Sequence, residues 1–304
     1  MAAIAPIVIA LISFVLRIFN LSTPKGFVFD EVYYVDGARD LLKYGVEVDG
    51  SKAEFIVHPP VGKWLIASGI KLFGDNEFGW RIASAVIGTL LILVFARLIH
   101  VLFYSPFLTA LGAGLMSIDG LLLVHSRTAL LDLFLTFFTI VGVLLWHRNR
   151  HWWAGLAFGL ALGCKWSAVY FVAIIAIISL YRIFVNHDVR DTFTLVARKF
   201  AQYGLLPIVV YIFTWTGWFI SDRGWSRQWS TNPFVSWLHY HQEMLNFHTG
   251  LTEKHPYQAN PFSWLVMGRP TSFFYATPKD CGAKDCAQEV LALGTPLLLS
   301  LIHI

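Results

Sequence analysis

The sequence predicts an all-α integral membrane protein with several spans, and three observations lead there. Hydrophobic residues make up 56% of the chain and charged residues only 14%, against roughly 45–50% and about 25% in soluble domains. Mean hydropathy is +0.60. Several apolar windows have the ~17–25 residues that carry a helix across a bilayer, and the alternation expected of barrel strands is absent. The length of 304 residues leaves room for about seven spans and one large loop. The net charge of +4, from 23 Lys+Arg over 19 Asp+Glu, is a surplus that membrane topology accounts for, which excludes a nucleic-acid-binding reading.

Residues 2–19 form the first apolar segment, read as a retained span and not a cleaved signal because no small-residue cleavage pattern leads into a soluble chain. No basic residue precedes it, so the natural start is expected further upstream. Residues 20–79 form a long polar loop with two amphipathic pieces. In the first, Tyr34, Ala38, Leu41 and Leu42 recur at helical spacing opposite Asp36, Arg39, Asp40 and Lys43, with Gly45 as the stop. In the second, Pro60 opens a helix with Val61, Trp64, Leu65, Ser68 and Leu72 on one face, ending at Gly74. Both suit helices lying in the membrane interface.

Further spans are expected at 81–102, 107–124, 130–146, 153–164, 169–184 and 200–220. A cytoplasmic N-terminus puts the turns at 97–105, 147–151 and 182–199 inside. These carry Arg97, Arg148, Arg150, Arg182, Arg190, Arg198 and Lys199, opposed only by Asp188 and Asp191, as the positive-inside rule requires. The first loop holds nine of the 19 acids and falls outside. Residues 221–288 form a second outer loop, rich in aromatic residues such as Trp225, Trp229, Trp237 and Trp264, in keeping with an interfacial belt. The apolar run 290–304 reads as a truncated helix, so the C-terminal spans are expected to be missing. Cys281 and Cys286 lie five apart in this loop, bridged or as two free thiols; Cys164 sits in an apolar segment.

The residues with chemical potential start at Asp30 and Glu31. An Asp before a helix and a Glu in its first turn can serve as cap and dipole partner. Close to a span, the same carboxylates are candidates to accept a proton from an attacking hydroxyl. His58 and Lys63 flank the second helix start, where the bland roles are backbone bonding and snorkelling. Arg81 and Arg127 adjoin apolar runs on the outer side, and Arg suits bidentate phosphate binding. Lys165 follows the fifth span and would complete an anion site near Arg127. Asp132 stands as an ion-pair partner or a metal-linked carboxylate. A divalent cation, Mg or Mn, is left open, with Asp30 and Asp132 as candidate ligands. His239, His241, His248 and His255 match no zinc spacing and are read as mainly structural.

Five blocks carry a resemblance: Phe29-Asp30-Glu31-Val32-Tyr33, His58-Pro59-Pro60-Val61-Gly62-Lys63, Trp80-Arg81-Ile82-Ala83-Ser84-Ala85, the stretch from Ser126 and Arg127 to Asp132, and Gly163-Cys164-Lys165-Trp166-Ser167. In this order and spacing the chain resembles the protein O-mannosyltransferases, with His255-Pro256-Tyr257, Phe262-Ser263-Trp264 and Gly268-Arg269-Pro270 adding to the likeness. The resemblance implies a GT-C type membrane glycosyltransferase, one domain over 1–304, that moves mannose from a polyprenyl-phosphate carrier to Ser or Thr hydroxyls of exported proteins. It places the active site on the extracytoplasmic face, in a bacterial cytoplasmic membrane, with acceptors presented by the export machinery. Asp30 becomes the expected base, Glu31 and Arg81 its partners, and His58, Lys63, Arg127 and Lys165 substrate-binding candidates. With only about 68 residues in the second outer loop, the likeness is to the actinobacterial form, without the extra soluble insertion. Two other readings stand beside it: a related transferase acting on a lipid or glycan, and a transporter of the lipid carrier, for which no repeat symmetry is visible.

Overall fold

A computed structural model describes residues 4–186, 189–253, 258–264, 266–278 and 286–295. Its helices are α1 Ile4–Ile18, α2 Glu31–Tyr44, α3 Val61–Phe73, α4 Glu77–Phe103, α5 Pro106–Ile118, α6 Gly120–His125, α7 Leu131–His147, α8 His151–Leu162, α9 Ala168–Asn186, α10 Val189–Phe200, α11 Leu206–Thr214, α12 Thr216–Ile220, α13 Pro233–Gly250 and α14 Pro261–Trp264. A π-helical turn, Ala201–Leu205, joins α10 to α11. Two antiparallel hairpins complete the structure: β1 Val48–Asp49 with β2 Lys52–Ala53, and β3 Thr271–Ala276 with β4 Gln288–Ala292. The mostly helical architecture expected from composition is present. Glu77–Phe103, Ala168–Val185 and Asp191–Thr214 are long and apolar enough to cross a membrane, whereas Ile4–Ile18, Pro106–Ile118 and Leu131–His147 are apolar but shorter.

The chain divides into two compact units. The first comprises Met1–Val35, Gly69–Leu130 and Leu251–Ile304. Here α1, α4 and α5 pack together through Ala10 of α1, Ile92 and Ala96 of α4 and Ala113 of α5, where small residues let helices approach closely. The opposite side of α1 keeps Ile7, Leu11 and Val15 exposed, which suits a lipid-facing surface. Asn76 caps α4 by accepting from the Phe78 and Gly79 N–H groups at 3.1 Å. Over 27 residues that helix extends about 40 Å.

The second unit comprises Asp36–Ser68 and Leu131–Gly250. Its helical part stacks α7, α8 and α11, with glycines at close approaches: a Cβ at Gly155 would lie 2.1 Å from the Gln202 carbonyl oxygen. That carbonyl belongs to the π-turn, which sits where Pro207 can neither donate an N–H nor tolerate a regular preceding turn. An aromatic core of Tyr211, Trp215, Trp218, Trp237 and Tyr240 joins α11, α12 and α13.

Several expectations are corrected. The apolar stretch 107–124 is broken at Asp119, whose side chain accepts from the Leu122 N–H at 2.9 Å and so starts α6. The segment 182–199, read as a turn, contains the amphipathic helix α10, which runs into the π-turn. The run 290–304 does not begin as a helix: Val290 pairs with Phe274 in the β3–β4 hairpin, and residues 296–304 lie outside the described set. The loop 221–288 contains the 18-residue helix α13. Helices α2 and α3 begin and stop close to where the sequence placed them, with Gly45 and Gly74 both at positive φ. The buried side of α3 is largely not the face picked out from the sequence: of that face only Val61 is buried, together with Lys63, Ile66 and Ile70, while Trp64, Ser68 and Leu72 are exposed. An ammonium turned inward is tolerable because Lys63 meets the Glu47 carboxylate and the His58 carbonyl there.

Candidate functional site

In the first unit, the loop that ends at Asp30 is held by one buried ion pair. Glu31, in the first turn of α2, and Arg81, in the first turns of α4, are both fully buried. Glu31 Oε1 accepts from Arg81 Nε and the Ala129 N–H, and Oε2 from Arg81 Nη2 and the Val28 N–H, all at 2.8 Å. The remaining guanidinium protons go to the carbonyls of Leu21, Pro24 and Gly26 at 2.8–3.2 Å. Five N–H donors and four carboxylate acceptor sites are thereby used. Glu31 and Arg81, the expected partners of Asp30, are thus engaged on every side by groups of the protein itself.

Asp30 is half-buried at the start of α2, its carbonyl accepting from the N–H groups of Tyr33 and Tyr34 at 3.1 and 3.2 Å. The Tyr34 hydroxyl donates to Oδ2 at 3.4 Å. One residue earlier, Phe29 adopts φ +53°, a conformation uncommon for a non-glycine residue. Its N–H donates to the Phe273 carbonyl at 2.9 Å, and the two rings stack with centroids 4.5 Å apart. Strand β3 thus fixes the residue beside Asp30.

The second unit brings together a different set. Lys165 Nζ donates to both oxygens of Asp132, at 2.9 and 3.1 Å, in a partly exposed pair. His58 lies mostly buried, 5.6 Å between ring centroids from His248. Burial, followed by the positive fields of Lys165 and Lys63, pushes the His58 imidazole down to about 3, so it is neutral at physiological pH. Lys63 is buried against Glu47.

Arg127, a candidate for the phosphate, is engaged at the end of α1. Its Nη1 donates to the carbonyls of Leu16, Arg17 and Phe19 at 2.8 Å, and Nη2 to Asn20 at 3.2 Å. The guanidinium closes the C-terminal end of α1, where orphan carbonyls and the negative end of the helix dipole call for a cation. Asp132 gives both oxygens to Lys165, and no group of three or more His, Cys, Asp or Glu converges among the described residues.

The order of these groups along the chain matches a known family. Residues 7–220 match the family described as dolichyl-phosphate-mannose-protein mannosyltransferase, and residues 233–303 match the C-terminal four TMM region of protein-O-mannosyltransferase. The chain belongs to the dolichyl-phosphate-mannose-protein mannosyltransferase family. It is a membrane glycosyltransferase.

Members of this mannosyltransferase family similar to the chain include the polyprenol-phosphate-mannose–protein mannosyltransferase of Corynebacterium glutamicum, 30% identical over 96% of this chain and 69% of that protein. The corresponding protein of Mycobacterium tuberculosis is 31% identical, covering 95% of this chain and 67% of its own length. Protein O-mannosyl-transferase 1 of Rattus norvegicus is 29% identical over 51% of this chain and 24% of its own. The likeness is therefore more extensive toward the actinobacterial relatives, as the short second outer loop led one to expect.

Several residues that matter in this family member were not singled out from the sequence. Glu47 gave no sign of being the partner of Lys63, and Phe273 none of reaching Phe29, since each link joins segments whose spacing says nothing of contact. The histidines of α13 all have partners within the protein. His241 bonds the Tyr211 hydroxyl at 2.7 Å and the Trp237 carbonyl at 2.8 Å, His248 meets the Val57 carbonyl at 3.1 Å, and His239 stacks on Trp229. His255 and Cys281 fall on positions outside the described residues, whereas Cys286 lies within them and is disulfide-bonded.

Proposed function

We propose that this protein transfers mannose from polyprenyl-phosphate-mannose to Ser or Thr hydroxyls of exported proteins. The reading combines family membership with one observation. A half-buried carboxylate, Asp30, stands at a helix start directly before Glu31, whose charge is met by Arg81 in a saturated pair. A serine hydroxyl is a weak nucleophile at neutral pH. Asp30 takes its proton as the oxygen attacks the anomeric carbon, the bond from that carbon to the phosphate oxygen breaks, and polyprenyl phosphate leaves with the electron pair. A single displacement inverts the anomeric centre, so a β-linked donor yields an α-mannoside, and one carboxylate suffices.

Lys165 is the group we assign to the phosphate. Two of its three ammonium protons meet the Asp132 oxygens, which leaves one for an anionic ligand. His58, neutral, and Lys63, locked to Glu47, shape the neighbouring surface. The chain is a GT-C type transmembrane domain over 1–304 in a bacterial cytoplasmic membrane. Its loops 20–79 and 221–288 are extracytoplasmic, α2 and α3 lie in the interface, and the export machinery presents the acceptors. The basic turns opposite the acidic first loop support this orientation.

The test is a transfer assay in membranes with radiolabelled polyprenyl-phosphomannose and protein, lipid and glycan acceptors side by side. A Ser/Thr-rich peptide is expected to be labelled. Asp30→Asn is expected to lower kcat by ~10²–10⁴-fold with carrier binding retained. Unchanged turnover would sink the base assignment, and labelling of lipid or glycan alone would sink the protein-acceptor reading.

A further inference from the structure

The second unit contains a cavity of about 100 Å³ walled by aromatic rings. Trp64, Trp215, Trp218, Trp225 and Tyr240 line it together with the carboxylate of Glu54. The polar ends of three of these rings are committed elsewhere. Trp218 Nε1 donates to the Trp225 carbonyl at 2.9 Å, Trp225 Nε1 to Glu243 Oε2 at 2.9 Å, and the Tyr240 hydroxyl to the Ile56 carbonyl at 2.8 Å. What these walls present to an occupant is ring surface, whose quadrupole is negative on its faces.

The charge in the cavity has the same sign. Glu54 is half-buried and makes no hydrogen bond or ion pair among the described residues. Burial, then the fields of Glu47, Asp36 and Asp40, hold its carboxyl above the ordinary range, against which only Lys63 works. Lys63 is not available to it, being held by Glu47 and the His58 carbonyl. An anion would be repelled by this set, and a neutral polyol would find few donors. A cation would gain from both the ring faces and the unpaired carboxylate.

We propose that this cavity takes an alkylammonium or guanidinium group, the side chain of a Lys or Arg in the polypeptide that carries the acceptor hydroxyl. The assignment rests on the polypeptide-acceptor reading above, but the cation site can be tested without it. The deciding experiment titrates tryptophan emission of the whole chain in nanodiscs with n-butylammonium and methylguanidinium, using n-butanol as the neutral control. Saturable responses to the two cations and none to butanol are expected, weaker by on the order of tenfold in Glu54→Gln and in Trp64→Leu. Two variants at different walls guard against one that merely misfolds, which a thermal melt detects. Equal responses to butanol, or cation responses unchanged in both folded variants, would overturn the site.

Transfer to Ser/Thr peptides that differ by one Lys→Gln replacement then tests the occupant. The Lys peptide is expected to have a KM lower by on the order of tenfold at similar kcat, with the advantage lost in Glu54→Gln. Equal KM values would overturn the peptide assignment. A positive titration with no transfer to any peptide would overturn the polypeptide reading and leave the cation site standing; active transfer with a flat titration would do the reverse.

Discussion

Arg81 grips Glu31 at two points: Nε reaches Oε1 and Nη2 reaches Oε2, both at 2.8 Å, in a setting sealed from solvent. The pair links the first turn of α2 to the first turns of α4, and through the Ala129 N–H to the segment two positions ahead of α7. Breaking one side of a buried pair leaves an uncompensated charge, at a cost of about 3–5 kcal/mol. Glu31→Gln and Arg81→Lys are both expected to lower stability in detergent strongly. Arg81→Lys does so because an ammonium cannot reproduce the fork or reach the Leu21, Pro24 and Gly26 carbonyls together. A double-mutant cycle of Glu31→Gln with Arg81→Met, read by denaturant unfolding, should give a coupling above ~1 kcal/mol. Additive losses would show that the two residues act separately.

Arg127 should behave as a structural residue. Its four carbonyl contacts lie at the end of α1, and hydrogen bonds from a charged donor contribute about 1.5–3 kcal/mol. Arg127→Ala is expected to lower the melting temperature and to expose the segment around Asn20 to proteolysis, with the KM for polyprenyl-phosphomannose unchanged in the folded fraction. A raised donor KM at undiminished stability would return Arg127 to the phosphate.

What the sequence made legible was the local signalling. Gly45 and Gly74 stop α2 and α3, and Pro60 stands just ahead of Val61, because turn geometry and capping depend on residues close in the chain. The DE pair was legible as a site, but residue chemistry alone reads two adjacent carboxylates alike, and only the family resemblance set Asp30 apart as base from Glu31 as its partner. What no pattern marked is that Glu31 takes four donors. Arg127 shows a similar ambiguity: an Arg beside an apolar run looks the same whether it faces a phosphate or, as here, bonds carbonyls at the end of a helix 107–111 residues earlier. The orientation of α3 was misjudged because hydropathy assigns Lys63 outward. Only the Glu47 carboxylate, 16 residues away and unmarked by any pattern, turns it in.

Acid should destabilise the second unit in a defined window. His58 is pushed down to about 3 and His241 to about 4, chiefly by burial, from an ordinary value near 6.5. Between those values the unfolded chain binds protons that the folded one does not. The stability associated with these neutral rings is therefore complete above pH ~6.5 and is lost as pH falls toward 4 and 3, with a slope of at most about 1.4 kcal/mol per unit for each ring. Glu54 and Asp40, whose carboxyls are raised mainly by burial, act with the opposite sign below their folded values. Melting temperatures between pH 7.5 and 5 should fall for the wild type and flatten in a His58→Asn/His241→Asn double variant. A parallel decline in both would place the acid sensitivity elsewhere.

The Lys165–Asp132 pair separates a structural from a functional cation. Its groups are partly exposed, so the pair itself contributes little, on the order of 0–1 kcal/mol. Lys165→Gln should therefore leave the melting temperature nearly unchanged, yet weaken binding of polyprenyl-phosphomannose by on the order of tenfold if the ammonium meets the donor phosphate. Asp132→Asn offers the complementary reading. It frees the ammonium from two carboxylate contacts at 2.9 and 3.1 Å, and donor binding should be kept or tightened. If both variants weaken the donor equally, the carboxylate positions Lys165 and the pair works as a unit. If neither does, the phosphate is held by other groups and the pair is only a surface ion pair.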